Sequence, residues 1–161
     1  MDFEALVQTG RSMRLTRQTN YAIRILMYLA VNKDRLSRLG EIAKAYSAPE
    51  PFMFKILNPL VSAGLVETVR GRNGGIRLAR EATRINLREV VELTEESFQM
   101  AECFETGADC PLIFSCELNA ALRQALEAFL STLGRYSLED LTKNKGYLHR
   151  TLGIEKADAA A

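Results

Sequence analysis

All three cysteines of this 161-residue chain lie in one short stretch, at Cys103, Cys110 and Cys116. Three thiols cannot all form disulfides within one chain, because one is left over. Thiolates are soft ligands that select zinc, copper(I) or iron-sulfur clusters. The gaps are wider than the spacing typical of structural zinc sites, and three cysteines fit a cluster with one iron not held by cysteine. We therefore predict a metal or cluster site, with ordinary buried cysteines as the alternative.

The composition excludes several classes of protein. The chain is 47% hydrophobic and 25% charged, as in ordinary globular domains. It contains no run of about 18 apolar residues, so no membrane span is predicted. The first residues lack the apolar core of a signal peptide. We expect a cytoplasmic protein with no membrane partner, in a reducing compartment that suits free thiols. A single histidine and the lack of a Ser-His or His-Glu arrangement argue against a zinc-bound or thiol-redox enzyme.

The charge is distributed unevenly along the chain. Residues 13–88 contain 14 Lys or Arg and 5 Asp or Glu, whereas residues 89–161 contain 6 and 13. A basic half of this size is the electrostatic footprint of a nucleic-acid-binding protein. An uneven but purely solvated surface is the alternative.

The pattern of the basic half predicts a helix-turn-helix. Thr16 can cap a first helix, and prolines interrupt the chain before a third helix that Gly64 ends as a left-handed cap. Lys55 and Asn58 point outward from that third helix, the position of a recognition helix in the DNA major groove. The three helices are expected at Arg17–Val31, Arg38–Tyr46 and Pro51–Ala63, and the buried face of the third at Phe52, Ile56, Leu57 and Leu60.

A basic hairpin is predicted immediately after the third helix. Two strand-like runs, Leu65–Val69 and Ile76–Leu78, flank a turn that contains Asn-Gly, a strong hairpin signal. Arg70, Arg72 and Arg77 are expected at its tip, where the glycine-rich loop can approach a phosphate backbone or a minor groove. A helix-turn-helix followed by such a hairpin is a winged helix.

Helices are also predicted in the acidic half. Asn86 and Glu89 should form a capping box on a helix to about Leu93, and Ser137 should cap a short helix before a docking segment at Tyr147–Leu152. A long apolar row indicates a dimerisation helix, with an intrachain core helix or an interaction module as alternatives. That row contains Leu118, Ala121, Leu122, Ala125, Leu126, Phe129, Leu130 and Leu133.

The fold class is therefore mainly α with a small β-hairpin wing, a winged helix-turn-helix plus a long dimerisation helix. The domain boundaries are expected at 13–92 for the DNA-binding domain, 93–116 for the cysteine loop and 117–153 for the dimerisation helix and docking segment. Residues 1–12 and 154–161 are expected to be flexible ends.

Three runs of the sequence resemble the bacterial iron-sulfur transcription regulators of the IscR, NsrR and RirA type. They are MRLTRQTNYAIRILMYLA, FKILNPLVSAGLVETVRGRNGGIRL and MAECFETGADCPLIFSCELNAALRQALEAFL, and the second and third look most similar to the RirA type, the rhizobial iron regulators. The resemblance implies a homodimer that binds double-stranded promoter DNA and holds a cluster through the three cysteines. The residues in the DNA-binding positions are Phe52, Lys55, Asn58, Arg70, Arg72, Asn73 and Arg77.

The resemblance also bears on the remaining cluster ligand. IscR carries a histidine where this chain has Asn119, and NsrR proteins can use an aspartate where this chain has Asn20. These two asparagines are the candidates for a fourth ligand, and the lack of histidine favours a 4Fe-4S over a 2Fe-2S cluster. The function implied is a transcription regulator, a repressor, that responds to iron through assembly or loss of the cluster. A nitric oxide or redox sensor of the same fold is the alternative.

Overall fold

The computed structural model describes residues 14–104 and 116–154. The predicted flexible ends at 1–12 and 155–161, together with Cys110, lie outside the described residues. Ile154, which was expected in a flexible end, is instead 4% exposed and packs in the core. None of the helices described is long and apolar enough to cross a membrane.

The first helix, α1, spans Arg17–Val31 as predicted. The Thr16 side chain accepts a hydrogen bond from the Thr19 amide, which satisfies one of the free donors of the first turn. One face of α1 is fully buried and forms the centre of the core, through Ala22, Ile25, Leu26 and Leu29. Helix α1 therefore organises the packing of the domain.

Helix α2 (Leu39–Ala45) and helix α3 (Glu50–Ser62) form the helix-turn-helix. The turn between them contains Ser47 in a left-handed conformation, and Gly64 has φ +67 after α3, as predicted for a left-handed cap. The buried face of α3 consists of Met53, Ile56, Leu57 and Leu60. The prediction that Phe52 belongs to this face is wrong, because Met53 fills the core and Phe52 is only half-buried.

The wing is an antiparallel pair, β1 (Val66–Val69) and β2 (Gly75–Leu78). Strand β2 also pairs with Ser37, which precedes α2: the Ser37 amide donates to the Ile76 carbonyl at 3.0 Å and the Ile76 amide donates back at 2.8 Å. A Cβ on Gly75 would lie 2.7 Å from the Ser37 carbonyl oxygen, so this close approach needs glycine. The wing is thereby joined directly to the helix-turn-helix.

Helix α4 (Leu87–Thr94) follows a short 3-10 turn at Ala82–Arg84. Asn86 accepts a hydrogen bond from the Glu89 amide at 3.0 Å. The predicted capping box is only half formed, because the Glu89 carboxylate pairs with Arg80 instead of reaching back to the cap.

The acidic half packs on the winged helix through its last elements. After the 3-10 turn Glu102–Phe104 come the long helix α5 (Glu117–Gly134), α6 (Leu138–Leu141) and α7 (Lys145–Leu152). The side chain of Ser137 caps α6 in a complete capping box with Asp140. Leu138 is 2% exposed within the core, and its amide donates to the Ile85 carbonyl at 2.8 Å.

The mainly helical architecture with one hairpin is the predicted fold class. Within the described chain, Leu130 is the only buried residue of α5. Leu118 and Phe129 are 63% and 39% exposed. The apolar row of the long helix is therefore largely uncovered by the residues that the structure describes.

Candidate nucleic-acid interface and candidate metal centre

The outer face of α3 carries the predicted contact residues. Lys55 and Asn58 are both exposed on it, since the opposite face of the helix is buried. Phe54 is 57% exposed on the same side. Sequence reasoning missed Phe54, although its position four residues before Asn58 places it on the outer face of a helix.

Phe52 faces α1 rather than the open side of α3. Its ring meets the Tyr21 ring edge to face, with 5.5 Å between centroids, and the Arg17 guanidinium lies 4.9 Å from its centroid. Phe52 therefore joins the recognition helix to α1 at the border of the outer face.

The tip of the wing presents Arg70, Arg72 and Asn73, all exposed. The prediction that Arg77 also lies at the tip is wrong, because Arg77 is the third residue of β2, opposite Glu67 in the register. Its guanidinium pairs with the Glu67 carboxylate. The unpaired positive charge of the hairpin is consequently concentrated at Arg70 and Arg72 within the described chain.

Aromatic rings and guanidinium groups alternate along one side of α1. Arg17 lies over Tyr21 and Phe52, and Arg24 lies 4.9 Å from the centroid of Tyr21 and 5.6 Å from that of Tyr46. Burial raises the pKa of Tyr46 to about 12, against the opposing effect of the Arg24 cation, so that ring is neutral at physiological pH. We call Arg17, Tyr21 and Arg24 the α1 row.

The two described cysteines approach the same end of α5. Cys116 is the N-cap residue of this helix, and the side-chain amide of Asn119, in its first turn, donates to the Cys103 carbonyl at 3.3 Å. Both thiols are half-buried and free. In residues 14–104 and 116–154 no three acidic, histidine or cysteine side chains cluster as a metal site, and the third predicted ligand, Cys110, falls in the gap between those ranges.

The two asparagines considered as fourth ligands differ in their surroundings. Asn119 uses both ends of its amide, because its oxygen also accepts a hydrogen bond from the Arg123 guanidinium at 2.8 Å. Arg123 in turn lies 4.9 Å from the centroid of the Phe104 ring, next to Cys103. Asn20 is exposed near the start of α1, where its amide nitrogen donates to the Leu15 and Thr16 carbonyls. Asn119 therefore joins the 3-10 turn at Cys103 to the first turn of α5.

A buried hydroxyl pair joins α4 to α1. The Thr94 hydroxyl oxygen lies 2.8 Å from that of Thr19 and 2.7 Å from the Val90 carbonyl oxygen. Thr19 and Thr94 are 0% and 3% exposed. Next to them, the Thr16 amide donates to the Glu95 carboxylate at 2.7 Å. The end of α4, which leads toward Cys103, is thus bonded to the start of α1.

An exposed recognition helix beside an arginine-bearing wing defines a winged-helix, DNA-binding transcription regulator. The chain belongs to the Rrf2 family, whose model, described as an iron-dependent transcriptional regulator, matches residues 15–144. Members of this family are regulators that bind DNA and are not enzymes. The predicted resemblance to this group of regulators and the prediction that the chain is not an enzyme are confirmed.

Similar proteins cover almost the whole chain. Protein aau3 of Rhizobium meliloti (strain 1021) is 60% identical over 145 residues, 89% of this chain and 94% of the relative. The transcriptional regulator NsrR of Bacillus subtilis (strain 168) is 39% identical over 146 residues, 89% of this chain and 100% of its own. Among solved structures, T. potens IscR matches with a TM-score of 0.68 at 22% identity, covering 83% of this chain and 88% of that one, which supports the fold.

A further solved structure is CymR, the global cysteine regulator of B. subtilis. It matches with a TM-score of 0.64 at 25% identity and covers 82% of this chain and 98% of its own. The winged-helix fold class predicted from the sequence is confirmed by these neighbours.

Proposed function

We propose that this regulator is an iron-sulfur-dependent repressor that binds double-stranded promoter DNA as a homodimer and responds to iron through assembly or loss of its cluster. The observation that supports the proposal most is the approach of Cys103 and Cys116 to one end of α5, through the Asn119 hydrogen bond. The description of the family as iron-dependent agrees with it.

The DNA contacts we propose lie on α3 and the wing. Lys55 and Asn58, together with Phe54, occupy the outer face of α3, and Arg70, Arg72 and Asn73 occupy the wing tip. A side chain on the outer face of a recognition helix can reach base edges, while arginines on a thin loop suit phosphates or a minor groove. Arg77 and Phe52 would contribute less, because one is paired with Glu67 and the other faces α1.

The cysteine segment fits an iron-sulfur cluster by its donor types. Cys103 and Cys116 are free thiols at the start of α5, and Cys110 would complete the set of three. With no histidine among these residues, 4Fe-4S is favoured over 2Fe-2S. When bound, such a cluster supplies chemistry that depends on iron supply and redox state.

The chain offers a route from this segment to the DNA-binding helices. Helix α5 begins directly after Cys116, and Arg88 of α4 pairs with Glu127 of α5 at 3.2 Å. Helix α4 is bonded to α1 through Thr94 and Thr19. A change in how the cysteine loop is held can therefore shift α5 relative to α4 and to the winged helix to which α4 is bonded.

The dimer we propose is formed by α5. Its apolar row is largely uncovered within the described chain, with Leu118 63% exposed. A helix of 18 residues is about 27 Å long at the usual rise per residue. The same face on two copies gives a self-complementary, two-fold contact, which is the usual arrangement for regulators that read paired half-sites.

A nitric oxide or redox sensor of the same fold is the second candidate. Its support is the similarity to regulators named NsrR. That of B. subtilis is 39% identical over 89% of this chain. The two candidates are distinguished by treating the protein with a chelator, with nitric oxide or with an oxidant. The signal is the treatment that removes the cluster and changes DNA affinity.

The test starts with protein purified without oxygen. Absorbance, circular dichroism, iron and sulfide content are measured before and after a chelator, and affinity for promoter fragments of the source genome is measured at fixed salt in both states. Cluster absorbance that fades on chelation, with a changed affinity, is the expected result. Equal affinity of the two states would refute regulation by the cluster. Substitution of Cys103 by alanine should abolish both signals, while Thr151→Ala, at an exposed site on α7, should keep them.

A further inference from the structure

The α1 row places two arginines on the surface beside the helix-turn-helix. Arg17 and Arg24 are both exposed, and each guanidinium is flanked by two aromatic rings at 4.9 to 5.6 Å. They lie seven residues apart, with Tyr21 between them, so they occupy one side of α1. Two cations are thus held in line along a helix surface.

Arg17 and Arg24 form no ion pair within the described residues. Among the side chains that the structure describes, no carboxylate lies within ion-pair distance of Arg17 or Arg24, whereas Arg35, Arg77, Arg80 and Arg88 all have such partners. An aromatic ring supports the flat face of a guanidinium and leaves its N–H donors at the edge. The rings therefore hold each cation in place beside α1, and its N–H donors stay available to another acceptor.

The row borders the recognition helix. Phe52, which contacts Arg17, lies in the first turn of α3, and Tyr46, which contacts Arg24, is the C-cap residue of α2. The two arginines therefore follow the edge of the helix-turn-helix, where a duplex backbone passes when α3 occupies the major groove.

We infer that Arg17 and Arg24 bind backbone phosphates of the DNA that flanks the groove occupied by α3. Guanidinium groups held in place on a helix surface suit phosphate oxygens, because two N–H donors can meet two oxygens at once. Contacts of this kind fix the position of the protein on the duplex without reading bases. They add to the contacts proposed for α3 and the wing and rest on the DNA binding of the family.

The salt dependence of binding to a mixed-sequence duplex tests the inference, because phosphate binding does not require an operator. Affinity is measured over a series of salt concentrations for the full chain and for the Arg17→Gln, Arg24→Gln and double variants. Removal of one arginine–phosphate pair should reduce the slope of log K against log salt by about 0.9 per bound protomer. The double variant should show about twice that reduction.

Two controls separate phosphate binding from structure. Arg150→Gln removes the same charge from an exposed site on α7 and should leave the slope nearly unchanged. Tyr21→Leu keeps both charges but removes their shared ring, so affinity should fall several-fold with an unchanged slope. Urea unfolding of each variant shows whether the fold is intact, and the single variants carry the test if the double variant does not fold.

The inference is overturned if folded Arg17→Gln and Arg24→Gln proteins keep the wild-type slope. It is also overturned if these substitutions alter the oligomeric state and leave the slope unchanged, because the row would then be an interface between copies of the chain. Failure of the wild-type protein to bind any duplex at low salt would instead refute DNA binding itself, and with it this inference.

Discussion

Replacing Thr94 by valine tests whether the buried hydroxyl pair joins α4 to α1. Thr94 is 3% exposed, and its hydroxyl lies 2.8 Å from that of Thr19 and 2.7 Å from the Val90 carbonyl oxygen. A hydroxyl has one hydrogen, so the Thr94 hydroxyl shares its hydrogen between the Thr19 hydroxyl oxygen and the Val90 carbonyl oxygen. Valine keeps the shape of threonine, removes this junction and leaves the buried Thr19 hydroxyl with fewer partners.

The expected loss is about 1 kcal/mol of unfolding free energy, the usual net worth of one hydrogen bond, because the Thr19 hydroxyl keeps the Thr16 hydroxyl at 3.0 Å as a partner. With a urea m-value of about 2 kcal/mol/M for a protein of this size, the unfolding midpoint should fall by about 0.5 M. Urea denaturation followed by circular dichroism measures this shift directly. The Thr19→Val, Thr94→Val double variant should cost less than the sum of the single variants, because both remove the same hydrogen bond.

Thr142→Val is the matched control for this prediction. Thr142 is 0% exposed, and its hydroxyl also bonds the carbonyl four residues earlier, that of Leu138 at 3.0 Å. Unlike Thr94, it has no side-chain hydroxyl partner on a distant helix within the described chain. Equal midpoint shifts for Thr94→Val and Thr142→Val, with additive costs in the double variant, would refute the reasoning.

Three further predictions concern other parts of the molecule. Asn119→Ala should release the Cys103 carbonyl and raise the rate at which a thiol reagent modifies Cys103 in apo-protein whose other cysteines are alanine. Gly75→Ala should destabilise the fold by about 2 kcal/mol or more, measured by urea unfolding, because the new Cβ would lie 2.7 Å from the Ser37 carbonyl oxygen. Asp140→Asn should flatten the loss of stability at acid pH, measured as the unfolding midpoint against pH.

The sign of the pH effect follows from the capping box of α6. Hydrogen bonds from the Ser137 hydroxyl, followed by those from Lys143 and the Ser137 amide, hold the pKa of the Asp140 carboxyl well below its usual range. Because the folded pKa is lowered, this contribution is present above the unfolded pKa of about 3.9 and is lost as the pH falls below it. A wild-type acid limb identical to that of Asp140→Asn would contradict this assignment.

The other two predictions have controls of their own. Gly146→Ala lies in helix α7, where the nearest atom to the new Cβ is a guanidinium nitrogen at 3.9 Å, so this variant should be slightly stabilised. For the thiol reaction, Gln124→Ala changes an exposed residue of the same helix as Asn119 and should leave the rate unchanged. No change of rate in Asn119→Ala would show that Asn119 does not hold the chain at Cys103.

Local signals in the sequence predicted much of the fold. Helix α1 begins and ends at the predicted residues because Thr16 caps it and its apolar spacing is continuous. The long helix was predicted from the same periodicity and ends at Gly134. Gly64 was predicted as a left-handed cap because few other residues adopt that conformation without strain.

Contacts between distant residues could not be predicted in this way. Met53 rather than Phe52 fills the core, because Phe52 packs against Tyr21, thirty-one residues earlier in the chain. The pairing of Arg77 with Glu67 depends on the strand register. The Asn119 bond to the Cys103 carbonyl joins two segments across the cysteine loop. Periodicity and capping describe neighbours along one element, and they contain no information about which elements meet.

The double hydrogen bond between Ser37 and Ile76 limits how the protein can respond to a signal. It joins the wing to the turn before α2, so the hairpin and the helix-turn-helix form one DNA-binding surface. In a dimer, a signal would leave the shape of each surface unchanged and alter the distance and angle between the two surfaces. We then expect the regulatory state to change which spacing between the two half-sites is bound. The bases read within each half-site would stay the same.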